Sequence, residues 1–521
     1  MNRVVLQCFE REALSANLLL LYLFFFLFIF LVIKFKKSKA TKYNLPPSPS
    51  KLPFIGNLHQ LHGSPHHVFR ALAQKHGPLM LLHLGRVPTL VVSSSDFARE
   101  VMKTYDHVFS SRLELMIPKR LLYGQDIAFA PYGEYWRQLR KVCVLQLFSS
   151  KKVQSFRSLR EEEIALLMEN IKKEASLATS VVNLSEMFVS LTNNIVCRVA
   201  LGKKYNDDQS ERNLKKILNE FTHLMGASNV GDFIPSLAWL NYFNGLNSKL
   251  EKNFREIDCF LDEVVEEHIE KKRRINGGDG GGEDEEDDFV DVMLGMENNL
   301  TLGIPLARDS TKAIILDMFA AGTDTSSTVL EWAMSELVRH PEIMEEVQNE
   351  VRDIAGSKLI IKENGTEEMH YLKAVIKETL RLHPPVPLLL PRESIEKVQV
   401  HGYDIPAKTT IVINAYAIGR DILSWEDPDK FLPERFLNGS SASIDYKGQD
   451  FQLIPFGAGR RGCPGILFAT SILEIALANL LNRFDWALPN GMDGKDLDMH
   501  EDSGLTIHRK NELVLMAKPL Y

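Results

Sequence analysis

The chain is poor in cysteine and has no pattern for pairing it. Its five cysteines, Cys8, Cys143, Cys197, Cys259 and Cys463, are odd in number and widely spaced across 521 residues. No Cys-x-x-Cys or Cys/His finger spacing occurs, which argues against a disulfide scaffold or a zinc module and for reduced thiols facing the cytosol. A surplus of positive charge is also missing. The 61 Lys and Arg against 68 Asp and Glu give a net charge of −7, so there is no overall basic field for nucleic acid. The chain has no internal repeat and no flavin or nicotinamide fingerprint.

Uncharged runs long enough to span a bilayer are absent too, except at one end. Residues 13–33 contain 21 uncharged residues, including "LLLLYLFFFLFIFLVI". As a helix this length crosses about 30 Å of hydrocarbon. Lys34, Lys36, Lys37, Lys39 and Lys42 follow directly, and by the positive-inside rule they keep the rest of the chain cytosolic. The run is long and lacks a small-x-small cleavage site, which argues against a removed signal peptide. Residues 1–12 precede this anchor. Residues 34–53 read as a basic, proline-rich hinge, and 54–521 as the main globular domain. On the cytosolic side the Asn-x-Ser/Thr sites at Asn183, Asn299, Asn364 and Asn438 are chance matches.

Within 54–521 the pattern predicts a mainly α fold with small β-sheets. "LMLLHLGRVPTLVVSS" predicts two short strands joined at 85–88. Helical patterns dominate from about Tyr132 to Arg274. Residues 271–288, "KKRRINGGDGGGEDEEDD", predict a flexible surface loop. Helices follow over about 307–340, 341–355 and 368–382, the last stopped by Pro384 and Pro385. "VQVHGYDIPAKTTIVINAYAIG" predicts short strands with turns.

Four of the cysteines have ordinary readings. Cys8 precedes the apolar run, and Cys143, Cys197 and Cys259 lie in helical patterns as small hydrophobes. Cys463 differs. It stands in "PFGAGRRGCPG", just before the very apolar "ILFATSILEIALANLLNRF". A thiol at a helix start is favoured as thiolate by backbone N–H groups and the helix dipole. Glycines allow close backbone approach, and Arg460 and Arg461 supply cations. A thiolate, a close backbone and arginines together suit haem: iron on sulfur, propionates on guanidiniums. Standing alone, Gly-x-Cys-x-Gly reads instead as a glycine-rich turn with an inert cysteine.

The wider pattern, Phe456-Gly457-x-Gly-x-Arg461-x-Cys463-x-Gly465, resembles the haem-thiolate loop of the cytochrome P450 family. Further motifs occur in family order from the proline hinge to the C-terminus. The anchor and early motifs resemble the plant microsomal A-type enzymes of specialised metabolism. "AAGTDTSS" interrupts the 307–340 helix with an acid and hydroxyls, and Gly322 there costs about 1 kcal/mol relative to alanine. Its missing Cβ leaves room beside the helix, and Thr325 reaches the carbonyl four residues back. The resemblance implies that Asp324 and Thr325 are the acid–alcohol pair that delivers protons to bound O2. In "KETLRLHPP", Glu378 and Arg381 are i and i+3 and face each other. With Arg435 of "FLPERF" they resemble the family's structural Glu–Arg–Arg triad. "EYWRQLRK" puts Trp136 and Arg140 on one helical face. The resemblance makes these two, with Arg392 and Arg461, contacts to the haem propionates, and makes Phe456, Gly457 and Cys463 part of the haem loop, with Cys463 the axial iron ligand. Leu113, Met116, Ile117, Val386, Leu388 and Leu505 are candidate substrate contacts. "VGDFIPSLAWLNYFNGL" is an aromatic-rich stretch suited either to skimming a membrane or to buried packing.

These features imply a monooxygenase with haem b. O2 and a small lipophilic substrate, of terpenoid, alkaloid or phenolic/coumarin type, would be its reactants. Electrons would come from NADPH through a separate reductase, and the chain would be single-pass in the endoplasmic reticulum membrane. Two rival readings are a haem-thiolate isomerase or dehydratase and a non-catalytic haem carrier; Asp324–Thr325 counts against both.

Overall fold

The computed structural model describes residues 20–30, 43–176, 181–204, 208–227, 229–276, 287–297, 306–502 and 504–520. Residues 1–45 with Gln399–Asp404 form one compact unit, and Pro46–Val398 with Ile405–Tyr521 form a second. In the first unit, Leu20–Phe30 is an apolar helix whose large side chains are exposed along its length. Residues 1–19 and 31–42, which hold the rest of the expected anchor and its lysines, lie outside the described residues.

The second unit is built mainly of helices. The ones that matter here are α1 (Pro65–His76), α2 (Glu134–Val142), α3 (Arg157–Ala175), α4 (Leu184–Leu201), α5 (Leu246–Asn276), α6 (Arg308–Arg339), α7 (Pro341–Ala355), α8 (His370–Leu382) and α9 (Ile466–Arg483). The boundary between α6 and α7 follows from proline chemistry. Pro341 cannot continue α6 but suits the first position of α7, where its missing N–H costs nothing. The central helices α6 and α9 are buried along most of their length. Among the described residues α9 is the only helix both long and apolar enough to cross a membrane, and it is largely buried inside the protein. Its apolarity serves the core.

The sheets are small. Strands β1 (Leu79–Leu84) and β2 (Val87–Val92) form the expected hairpin. β7 (Thr410–Ile413) pairs parallel to β2 and antiparallel to β4 (Arg392–Glu393). β5 (Val398–Val400) and β6 (Tyr403–Ile405) form a ribbon. The third sheet, β3-β9-β8, joins Val181–Asn183, Val514–Pro519 and Phe484–Ala487.

Three expectations differ from the structure. The loop expected from residue 271 starts later, because α5 runs on to Asn276. Its far end is not solvated either. Asp288 is buried, pairs with His268 at 2.8 Å, and accepts the Asp291 N–H at the start of the Phe289–Glu297 helix. The compact unit begins at Pro46, not near residue 54. Pro46 and Pro49 are buried, and the Pro47 carbonyl accepts from the Leu81 N–H of β1, so the second half of the expected spacer is docked on the sheet. Strand β3, inside the region where helical patterns dominate, is too short to carry a periodic signal.

Candidate active site

One cavity of about 780 Å3 lies between α6, the Pro455–Gly465 loop and the segment ending at His508. That falls within the range of small-molecule and cofactor sites. Cys463, Phe456, Gly457 and Arg461 line it from the loop, and Asp324 and Thr325 from α6. Arg140, Arg392, Val386 and Leu505 also line it.

The loop is held by its own backbone. The Cys463 N–H donates to the Phe456 carbonyl at 2.9 Å, and the Gly457 N–H to Ile454 at 3.0 Å. Gly459 has φ +68°, and a Cβ there would sit 2.3 Å from the Met102 carbonyl oxygen, so only glycine lets the loop pass this close. The α9 helix begins at Ile466, three residues after Cys463. Burial pushes the Cys463 thiol up, against the opposing Gly465 N–H and the Arg140 charge. Metal coordination overrides such a shift, since a coordinated thiol is deprotonated.

The arginines carry the electrostatic character of the cavity. Arg112, Arg140, Arg392 and Arg461 all face it. Their donors go mainly to main-chain carbonyls. Arg112 reaches Ala128 at 2.8 Å and Pro391 at 3.0 Å, and Arg461 reaches Ser110 and Ala130, both at 2.7 Å. Arg140 reaches Gly462. Among the described residues only Arg392 has an ion pair, to Asp106 at 2.9 Å. Burial and the neighbouring guanidiniums lower Arg112 well below its usual range and bring Arg461 to about 9. Three buried arginines and the half-buried Arg140, with one paired carboxylate among them, call for anions from outside the chain. A dianionic macrocycle with a metal to place on Cys463 meets that demand, so the residues present fit haem.

Trp136 differs from its expected role. Its single indole N–H is donated to the Ile127 carbonyl at 3.0 Å, and the ring lies under Arg461, 3.9 Å from its guanidinium carbon. It stands behind the cavity wall and orients Arg461.

On α6, hydroxyls turn back onto the main chain. Thr325 donates to Ala321, Ser327 to Thr323, and Thr328 to Asp324. Thr323 Oγ1 is buried without a hydrogen-bond partner among the described residues. Gly322 does not open space for a ligand where its Cβ is missing. A Cβ there would meet Val196 Cγ2 of α4 at 2.9 Å, so the glycine admits a neighbouring helix. The Asp324 carboxylate lies 3.0 Å from His508 Nε2.

Glu378, Arg381 and Arg435 come together away from the cavity. Arg381 makes a two-pronged pair with Glu378, both contacts 2.7 Å, and Arg435 Nε adds a third at 3.1 Å. Glu378 and Arg381 are fully buried. An i,i+3 spacing alone reads as a surface pair, and this one is at the core.

Of the substrate candidates only Val386 and Leu505 face the cavity. Ile117 and Met116 pack in the main core, and Leu388 packs against the small cluster around Phe69 and Met80. Leu113 is also off the cavity wall. The apolar wall is supplied instead by residues such as Phe129, Leu218, Phe221 and Met318. Arg112 and His508 also line the cavity but carry no local motif, and Thr323 is one of the "AAGTDTSS" hydroxyls, beside the more conspicuous Asp324–Thr325.

A family model described as cytochrome P450 matches residues 46–516. Cytochrome P450 736A117 of Prunus mume is 54% identical over 488 residues, 93% of this chain and 92% of its own. Cytochrome P450 71A1 of Persea americana is 51% identical over 89% of this chain and 91% of its own. In fold, the chain resembles a zebra fish cytochrome P450 structure with progesterone, with TM-score 0.74, 24% identity, and coverage of 88% and 100%.

Proposed function

This chain belongs to the cytochrome P450 family and is a monooxygenase of the type found in plants, and we propose that it oxidises a small lipophilic specialised metabolite of terpenoid, alkaloid or phenolic/coumarin type while anchored in the endoplasmic reticulum membrane. The observation that carries the reading is the single cavity shared by Cys463, four arginines and the Asp324–Thr325 turn.

Haem held here would supply the site at which O2 is bound and its O–O bond split, one oxygen atom going to the substrate and the other to water. The protein's share is binding and proton handling. Cys463 Sγ would hold the haem iron. Arg112, Arg140, Arg392 and Arg461 offer forked donors that match two carboxylates. Asp324 and Thr325 hold and pass protons toward the centre of the cavity. The apolar wall around Phe221, Met318, Val386 and Leu505 desolvates a lipophilic ligand and keeps bulk water from the proton route. Electrons come from NADPH through a separate membrane reductase. The exposed apolar helix Leu20–Phe30 supports the anchor, and the lysines from Lys34 to Lys42 in the sequence favour a cytosolic body. Trp239, Tyr242 and Phe243 are exposed aromatics that suit contact with a headgroup layer.

The test is the carbon monoxide difference spectrum of the reduced protein, followed by turnover with NADPH and reductase. A strongly red-shifted Soret band is expected, and Cys463→Ala should abolish it. Thr325→Ala should keep the band and divert reducing equivalents to peroxide. A band of the histidine-ligated kind in the native protein would overturn the Cys463 role. Unchanged coupling in Thr325→Ala would overturn the proton role.

A further inference from the structure

We propose that His508 is the positioning residue for Asp324, holding its carboxylate at the cavity wall and resupplying it with protons. The inference rests on the reading of Asp324 as the proton-delivering acid.

His508 is on the segment that runs beside α6 after the cavity lip. The contacts fall on one helical face. Asp324 and Thr328 meet His508, Trp332 donates its indole N–H to the Ile507 carbonyl at 3.0 Å, and Ser335 accepts from Arg509 at 2.7 Å. The segment is thereby fixed in register on α6, and His508 meets the acid rather than its neighbours.

His508 contacts Asp324 in two ways: at the carboxylate directly, 3.0 Å from Nε2, and at the main-chain carbonyl through Thr328, whose hydroxyl lies 2.7 Å from that carbonyl and 2.9 Å from Nδ1. The hydroxyl has one proton. Given to the carbonyl, it leaves the hydroxyl oxygen to accept from Nδ1–H, and the ring is an imidazolium; given to Nδ1, it leaves a neutral ring that donates from Nε2 alone. The acidic surroundings favour the first arrangement. The other charged groups facing His508 are Glu331 on α6 and Asp502 on its own segment, both acidic, and they favour the same cation. Burial opposes the cation, but the Asp324 hydrogen bond and these charges raise His508 overall.

The proton step balances without a further reagent. The Nε2 proton passes to Asp324 Oδ1, leaving a neutral imidazole and a carboxylic acid. Asp324 gives its proton onward into the cavity, and the imidazole takes another from water. About a third of the His508 side chain remains accessible, which provides that contact.

The test compares Asp324→Asn, His508→Gln, His508→Arg and the double variant Asp324→Asn/His508→Gln in the haem-loaded, reductase-coupled protein. Product and peroxide per NADPH are followed from about pH 6 to about pH 9, the range over which a raised histidine titrates. Thermal unfolding of the same four proteins supplies a readout independent of turnover. Expected is a peroxide share that rises in His508→Gln as in Asp324→Asn, a loss in product rate of about a hundredfold, and no further loss in the double variant. His508→Arg keeps a cation but cannot give up its proton. It should recover the melting temperature and lose the pH dependence. If Asp324→Asn uncouples while His508→Gln keeps the native partition and pH profile, the His508 role is overturned and the acid stands. If Asp324→Asn itself stays coupled, the underlying reading of the acid fails. Should His508→Gln not load haem, His508→Arg decides alone: a native pH profile in it overturns the proposal.

Discussion

Arg381 and Arg461 are both buried guanidiniums, and the chain treats them in opposite ways. Around Arg381 every charge is answered from within. Glu378 takes two of its N–H groups and one from Arg435, and the carbonyls of Gly419, Pro428 and Lys430 take the rest. The ring of Trp425 lies 5.2 Å from the Arg381 guanidinium carbon and covers the assembly. Around Arg461 stand Arg112, Arg140 and Arg392, with Asp106 as the one ion-paired carboxylate and Asp126 as a further acidic neighbour. The first set is complete as folded. The second is electrostatically unfinished, and its surplus faces the cavity that Cys463 lines. Buried charge left over in a well-packed protein marks what the protein is built to receive.

The largest effect comes from breaking the finished set. Glu378→Gln leaves Arg381 and Arg435 facing a neutral amide in a dry core. Removing one partner of a buried pair costs about 3–5 kcal/mol, a large share of the roughly 5–15 kcal/mol that holds a domain together. Folded, haem-loaded protein should be nearly absent, as read by the carbon monoxide spectrum and by thermal unfolding. A Glu378→Gln protein that melts with the native one would show that the brace carries little.

The unfinished set should answer in the opposite sense. Arg112→Gln removes a buried cation repelled by Arg461, Arg392 and Arg140. Without haem, the variant should melt no lower than the native chain and recover some of the repulsion. With haem, it loses a charge-assisted bond worth about 1.5–3 kcal/mol, so haem should dissociate about ten to a hundred times faster. Dissociation is measured by transfer to an excess of an apo-globin. If apoprotein stability falls and haem retention does not, Arg112 belongs with the structural arginines.

The same contrast explains what was legible in the sequence. Prolines and helix periodicity marked α6, α7 and α8 to within about two residues. The glycine and arginine punctuation around Cys463 drew attention to the loop, and family resemblance then assigned it. Local pattern could pair Glu378 with Arg381 but could not tell core from surface, because that depends on Trp425 and the loop carrying Arg435. Arg112 is invisible for the same reason: its significance is the presence of three other arginines from distant segments. His508 meets Thr328 across 180 residues of sequence. Leu388 and Ile117 pack behind the cavity wall, and in sequence apolar residues near a motif look alike whether they line a cavity or fill the core behind it.

Between the two arginine sets stands a third kind of charge pair, complete but open to water. Asp324 is lowered: burial would raise it, but the hydrogen bond and charge of His508 prevail. His508 is raised by the same contact against burial. The signs fix a window. A carboxylate held below its ordinary pKa near 4 contributes stability that is present above that value and lost as pH falls through the folded pKa. A histidine held above its ordinary value near 6.5 contributes stability that is full below it and lost as pH rises through the folded pKa. The pair should therefore stabilise most between about pH 4.5 and 6.5. Water reaches about a third of His508 and a quarter of Asp324, so screening limits the gain to about 1 kcal/mol. The melting-temperature gap between the native protein and Asp324→Asn should be widest in that window and close as pH rises past the His508 transition. A gap that is flat with pH would mean the contact is an ordinary hydrogen bond. A gap as large as that of Glu378→Gln would mean that water does not reach the pair, and Asp324 would then be a structural charge like Glu378.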